Sequence, residues 1–283
     1  MNAAELREEV IYALMQALPV PACSALGAAL SLHLGQKAHP AQDARARALL
    51  RRLYPDLQAH EIDSRLREVW RGIGRSFAEF AALPRLETSP RSSIEGQDNL
   101  AVARATGRPV ILAFVHLGNW EVAGIHMGQL YPNRIMVIVE LPANRLRARV
   151  AAEAHARRPG VFVDAGPTMW RRALAHLENP DHMLWLAADG QEAGICHFPG
   201  FGTPVPATSN AGKLVRLAHK AGALIVPFYN ERHAHARFTT HILPAFDPAG
   251  LSVPAALSEL EARFEPAIRR LVTQWYMAIH VPD

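Results

Sequence analysis

His116 and Glu121 are the residues whose types and spacing point most directly to chemistry, at either end of His116-Leu117-Gly118-Asn119-Trp120-Glu121. A neutral imidazole can take the proton of a hydroxyl as that hydroxyl attacks a carbonyl. A nearby carboxylate fixes the tautomer of the ring and stabilises the imidazolium that forms. Five helical residues turn through about 500 degrees, so this pair cannot share one face of a regular helix. The two meet only if His116 lies in a turn and the helix begins near Trp120. Gly118 permits the tight reversal this needs, and Asn119 can cap the helix with Glu121 in its first turn. The spacing therefore predicts a strand–turn–helix site, at the end of a strand where open α/β sheets bind their ligands. No nucleophile elbow of the G-x-S-x-G type occurs, so direct attack by an acceptor alcohol is simpler than an acyl-enzyme. Water in place of that alcohol would give a hydrolase, and the same spacing also fits a local pair that only ties a turn to a helix.

Other candidates stand further along. Asp189 closes a predicted strand, where it would organise an acceptor or the following loop, or cap a turn. Asn144, Arg145, Arg147 and Arg149 follow the second predicted strand, and Arg171 and Arg172 lie on a later helix. Guanidinium forks suit phosphate and carboxylate, although a solvated helix face explains the same residues. Gly200 and Gly202 would let a loop approach a thioester closely, or supply turn geometry. The backbone amides of Gly118 and Asn119 are candidate donors to an oxyanion. Cys196 beside His197 is a poor nucleophilic pair, because adjacent residues rarely orient correctly. His233, His235 and His241 have Glu231 as their one near carboxylate and read as a polar hairpin end rather than a metal site. No metal and no tightly bound cofactor is expected.

The elements that must position these residues change character along the chain. Residues 1–85 read as helical, with helices expected over 6–18, 22–34, 42–53 and 61–82. Ile62, Leu66, Val69, Ile73 and Phe77 in the last of these make an apolar stripe at three- and four-residue steps. From 86 to 283 short apolar runs alternate with helical segments. Strands are expected over 109–115, 134–139, 161–163, 183–188 and 224–228, with helices over 121–130, 144–156, 168–177 and 208–220. Residues 237–242 could add an antiparallel edge strand, and a last helix starts near Pro254. This order predicts an α/β fold, a mostly parallel central sheet flanked by helices, with the helical region packed on it.

Composition narrows the function classes. The chain has 283 residues, 49% of them hydrophobic, and 30 basic against 26 acidic groups. That is neither a disordered chain nor a charged tail. Only Lys37, Lys213 and Lys220 are lysines. Eight arginines between 134 and 172 face three acids, a surface suited to an anionic partner or an anionic membrane. No zinc-finger or RNA-binding motif accompanies them, so nucleic acid is not an expected partner. Two cysteines, Cys23 and Cys196, make no disulfide framework and point to a reducing compartment. Residues 10–36 carry no formal charge, but Pro19 and Pro21 split them into a helical pair, a hairpin or shallow membrane-lying element rather than a span.

The run from His116 to Glu121 resembles the His-x-Gly-Asn-Trp-Glu motif of the lipid A biosynthesis acyltransferase family, the late lauroyl and myristoyl transferases. More distantly it resembles the His-x4-Asp motif of glycerolipid acyltransferases. Residues 47–53 with Tyr54-Pro55 are similar to the family's region before the sheet, and 185–189 with Gln191 to its Asp-Gln segment, here separated by Gly190. His197-Phe198-Pro199-Gly200-Phe201-Gly202 resembles its Phe-Phe-Gly loop with an inserted Pro-Gly, 208–227 its following helix and strand, and Gln274-Trp275-Tyr276 its C-terminal aromatic segment. The likeness spans most of residues 5–280.

That resemblance implies a glycerol-phosphate acyltransferase-like sheet and transfer of a fatty acyl group from an acyl carrier protein or coenzyme A thioester to a hydroxyl or amine of a lipid, glycolipid or related metabolite. It carries His116 over as general base and Glu121 as its partner. It also implies a peripheral place on the cytoplasmic side of an inner membrane, or a largely soluble protein, since the N-terminal anchor usual in the family is weak here. The rival readings are an acyl thioesterase or esterase, and a non-catalytic protein that binds lipid or acyl carrier.

Overall fold

The computed structural model describes residues 3–140, 144–156 and 158–282. Six helices precede the first strand: α1 (Ala3–Ala17), α2 (Val20–Leu30), the short α3 (Gln36–Ala38) after a π turn at Ser31–Gly35, α4 (Pro40–Leu53), α5 (Ala59–Phe80) and α6 (Leu83–Glu87). In α5 the backbone N–H of Gln58 is capped by Glu61 Oε2 at 2.8 Å. The stripe of Ile62, Leu66, Val69 and Ile73 is buried as its spacing requires. Each such side chain contributes about 1.5–3 kcal/mol over leaving it in water. Gly27 of α2 and Gly74 of α5 let two backbones cross in contact, for a Cβ on Gly74 would lie 2.1 Å from the Gly27 carbonyl oxygen.

The membrane-associated, inner-membrane reading of the sequence needs correction. Among the described residues no helix is long and apolar enough to cross a membrane. The uncharged run is broken at Pro19 between α1 and α2, then again by the π turn. Cys23, Ser24, Gly27 and Ala28 of α2 are buried in the protein, and Ser24 donates a hydrogen bond to Glu79 at 2.7 Å.

The rest of the chain builds a seven-stranded sheet. Its elements are β1 (Ser92–Glu95), α7 (Gln97–Ala105), β2 (Val110–Phe114), α8 (Trp120–Leu130), β3 (Ile135–Val139), α9 (Arg145–Ala156), β4 (Val161–Asp164), α10 (Met169–Leu177), β5 (Met183–Ala187), α11 (Asn210–Ala221), β6 (Leu224–His233), β7 (Arg237–Ile242) and α12 (Val253–Arg270). The strand order is β1-β7-β6-β2-β5-β3-β4. All neighbours are parallel except β6 and β7, which form an antiparallel hairpin. The expected α/β architecture is therefore present. The 237–242 strand is antiparallel as expected, but the edge belongs to β1. That strand was hidden in a polar stretch because Ser92, Ser93 and Glu95 give it no apolar alternation to read.

Strand β2 sits in the middle, covered on both faces, and every one of its residues is buried. Ile111 and Ala113 join the larger core under α5, α11 and α12, while Val110, Leu112 and Phe114 join the core beneath α7 and α8. From β2 the chain steps over β5 to reach β3; from β5 it crosses to β6 on the other side of β2. The direction of winding thus reverses beside β2 and β5, and beyond the carboxyl ends of strands at such a point these sheets bind ligands. His116 follows β2 and Asp189 follows β5, with Phe114 opposite Ala187 in register.

Candidate active site

The two adjacent strand ends bring His116 and Asp189 together. Asp189 is fully buried, and its carboxylate accepts from His116 Nδ1 at 2.7 Å, the His116 backbone N–H at 2.8 Å and Trp275 Nε1 at 2.8 Å. Three N–H donors satisfy a charge that no water reaches. Because an ionised carboxylate only accepts, the ring donates from Nδ1 and presents Nε2 as a lone pair. Nε2 has no hydrogen-bond partner among the described residues, and the side chain is 17% exposed. A held imidazole with a free, reachable Nε2 is the arrangement of a general base.

Aromatic rings wall this imidazole. Trp120 lies 4.7 Å from it edge-on, Phe114 at 5.1 Å and Tyr276 at 6.3 Å, ring centre to ring centre. Behind Phe114 stand Trp185 and Phe228, at 5.4 and 5.8 Å. The C-terminal segment pairs with the turn like a short strand. Tyr276 N–H donates to the His116 carbonyl at 2.9 Å and Gly118 N–H to the Gln274 carbonyl at 3.0 Å.

Glu121 is not the partner of His116, and this corrects the sequence reading. It lies in the first turn of α8 and pairs with Arg158 at 2.5 Å, with the two side chains only 11% and 7% exposed. Arg158, between α9 and β4, meets its carboxylate there. One guanidinium nitrogen of Arg158 is buried without a partner among the described residues, and the residue also lines a cleft with Tyr12, Phe80, Ile125 and Val150.

Gly118 and Asn119 serve the scaffold rather than an oxyanion. Gly118 sits at φ +62°, and a Cβ there would lie 2.4 Å from the Asn230 carbonyl oxygen. Its amide is used by Gln274, and that of Asn119 donates to Asn230 Oδ1 at 3.2 Å. The Asn119 side chain caps Glu121 N–H at 3.1 Å, as its position predicted. Two of the expected phosphate ligands are engaged with α1. Asn144 donates to Glu8 at 3.0 Å and Arg149 to Glu9 at 2.6 Å, joining α9 to α1. Arg145, Arg171 and Arg172 are exposed; the Arg147 side chain lies outside the described residues. Gly200 turns onto Thr203, whose N–H donates to the Gly200 carbonyl at 3.0 Å, and Gly202 takes φ +93°. Both shape a loop anchored where Phe201 N–H meets Glu261 at 2.9 Å.

Cys196 is fully buried, and burial pushes its thiol well above the ordinary value, with the Asp189 charge adding to the effect. Such a thiol is inert. Glu231 is held by Arg270 at 2.8 Å, and among the described residues no three His, Cys, Asp or Glu side chains are grouped to hold a metal.

Trp275, Arg158, Glu79 and Arg232 are site residues that no role was read for from sequence. Glu79 lies off the apolar stripe of α5, about 120° around the helix from Ile73, and left no periodic signal. Arg158 and Arg232 left none.

A mixed, mostly parallel sheet flanked by helices thus carries an aromatic-walled histidine–carboxylate pair beyond its central strands. The family model for bacterial lipid A biosynthesis acyltransferases matches residues 9–280, and the chain belongs to that family. It is an acyltransferase, with an acyl donor as its general partner. No curated protein sequence matches the chain.

Proposed function

We propose that this enzyme moves a fatty acyl group from an acyl carrier protein or coenzyme A thioester directly to a hydroxyl or amine of a lipid, glycolipid or related metabolite. His116 Nε2 takes the acceptor proton as the acceptor oxygen or nitrogen bonds to the thioester carbonyl carbon. The carbon–sulfur bond then breaks, and the proton returns to the departing thiolate. Asp189 keeps the ring in the reactive tautomer and stabilises the imidazolium. The observation that carries this reading is the 2.7 Å contact of His116 Nδ1 with a fully buried carboxylate, which leaves Nε2 free. The inert Cys196 thiol supports transfer without an acyl-enzyme. Arg158, held by Glu121, lines the cleft beside α1 and is placed to meet an acceptor oxygen there. In this reading residues 1–85 form a helical cover on a core of 86–283, working as one unit.

The test is thiol release from acyl-coenzyme A and acyl-carrier thioesters, with and without a panel of alcohols and amines, and mass spectrometry of the products. Release that rises with an acceptor and yields its acyl ester or amide is expected. Free fatty acid formed at one rate regardless of acceptor would make the enzyme a thioesterase. Binding of the carrier with no turnover would leave only a binding protein.

A further inference from the structure

The turn that follows His116 is held from beneath by a buried ion pair far from it in sequence. Glu79 of α5 is fully buried, and the Arg232 side chain of β6 is 6% exposed. Arg232 reaches Glu79 as a fork, Nε to Oε1 at 3.0 Å and Nη2 to Oε2 at 2.7 Å. The same Nη2 donates to the Gly118 carbonyl at 3.1 Å, and Ser76 Oγ donates to that carbonyl at 2.8 Å. Asn119 Nδ2 donates to Glu79 at 2.9 Å. A second path runs through Gln274, whose side chain brackets the Arg232 backbone at 2.8 and 2.9 Å while its own carbonyl accepts from Gly118.

Buried ion pairs are weak sources of stability, since apolar residues of similar volume often do as well. This one also leaves Arg232 Nη1 buried with no hydrogen-bond partner among the described residues. What it supplies is place. A misplacement of about 1 Å in a reacting group can cost about 100-fold in rate, and the Gly118 carbonyl lies two residues from His116. We propose that Arg232, clamped by Glu79, is a positioning residue that fixes the His116–Asn119 turn for catalysis. The proposal rests on His116 being the base.

Two variants of the full chain test it. Ser76→Ala removes one donor to the Gly118 carbonyl and one acceptor of Arg232 Nη2, and keeps the fork to Glu79. Arg232→Lys keeps the charge and removes the fork. Thiol release from dodecanoyl-coenzyme A with glycerol as acceptor gives kcat and KM at a temperature where melting curves show each variant folded. Arg232→Lys is expected to lower kcat at least ~30-fold and Ser76→Ala about 3–10-fold, both with KM within about twofold, as for a displaced reacting group. The Arg232→Lys loss should also shrink sharply in a His116→Ala background, because a residue acting through another is not additive with it. Unchanged kcat in the folded variants, or a full further loss on top of His116→Ala, would overturn the positioning role. If Arg232→Lys does not fold, Ser76→Ala decides alone. A His116→Ala enzyme with wild-type turnover would instead remove the base, and the failure would lie in the function proposed above.

Discussion

Two carboxylates flank the same turn and live in opposite electrostatic settings. Asp189 is fully buried, and among the described residues its carboxylate is met by N–H groups of His116 and Trp275. Glu121, five residues from His116 in sequence, gives its charge to Arg158. A carboxylate whose full charge faces an imidazole in a water-poor setting polarises it strongly, whereas one already matched by a guanidinium does so far less. Sequence nearness favoured Glu121. Charge balance favours Asp189.

That contrast can be broken by substitution. His116→Ala should lower turnover the most, by roughly 10²–10⁴, with the fold intact by circular dichroism; unchanged turnover would remove the base. Asp189→Asn should cost at least about 100-fold in kcat, because the amide favours the wrong tautomer. Glu121→Gln should cost only about tenfold in turnover and about 1–3 kcal/mol of stability, since it leaves a buried guanidinium short of an acceptor. If Glu121→Gln proves the more damaging of the two in kcat, the assignment of partners is reversed.

Smaller effects sharpen the picture by separating scaffold from site. Burial pushes the imidazoles of His126, His155 and His176 below their ordinary value of 6.5. The unfolded chain then binds protons that the folded one resists. The stability from these groups is complete above pH 6.5 and is lost as pH falls through their lower folded values. Melting temperature should therefore drop between pH 7.5 and 5, and less so in a His126→Gln variant; a rise on acidification would refute the sign. Smallest of all, Arg149→Ala breaks an exposed pair with Glu9. It should leave both kcat and melting temperature unchanged, as surface ion pairs usually do, and a large loss of turnover would return α9 to the site.

Much of this protein is written locally. The stripe of α5, the alternation of apolar runs and helices, and the strand–turn–helix at His116 follow from side-chain period, glycine freedom and capping, which act over a few residues. The strand β1 escaped notice because a polar edge strand has no such period, and it forms only because β7 offers it backbone partners. Asp189 was legible as a residue at a strand end, but its contact with His116 depends on β5 being inserted beside β2, a choice of strand order. The same holds for Trp275, for Arg158 and for the Glu79–Arg232 pair, 153 residues apart. Local sequence fixed which groups could do chemistry, since the chemistry of a side chain is intrinsic to it. Which carboxylate faces the imidazole was decided by tertiary structure alone, because burial and pairing are properties of neighbours that the chain meets only once folded.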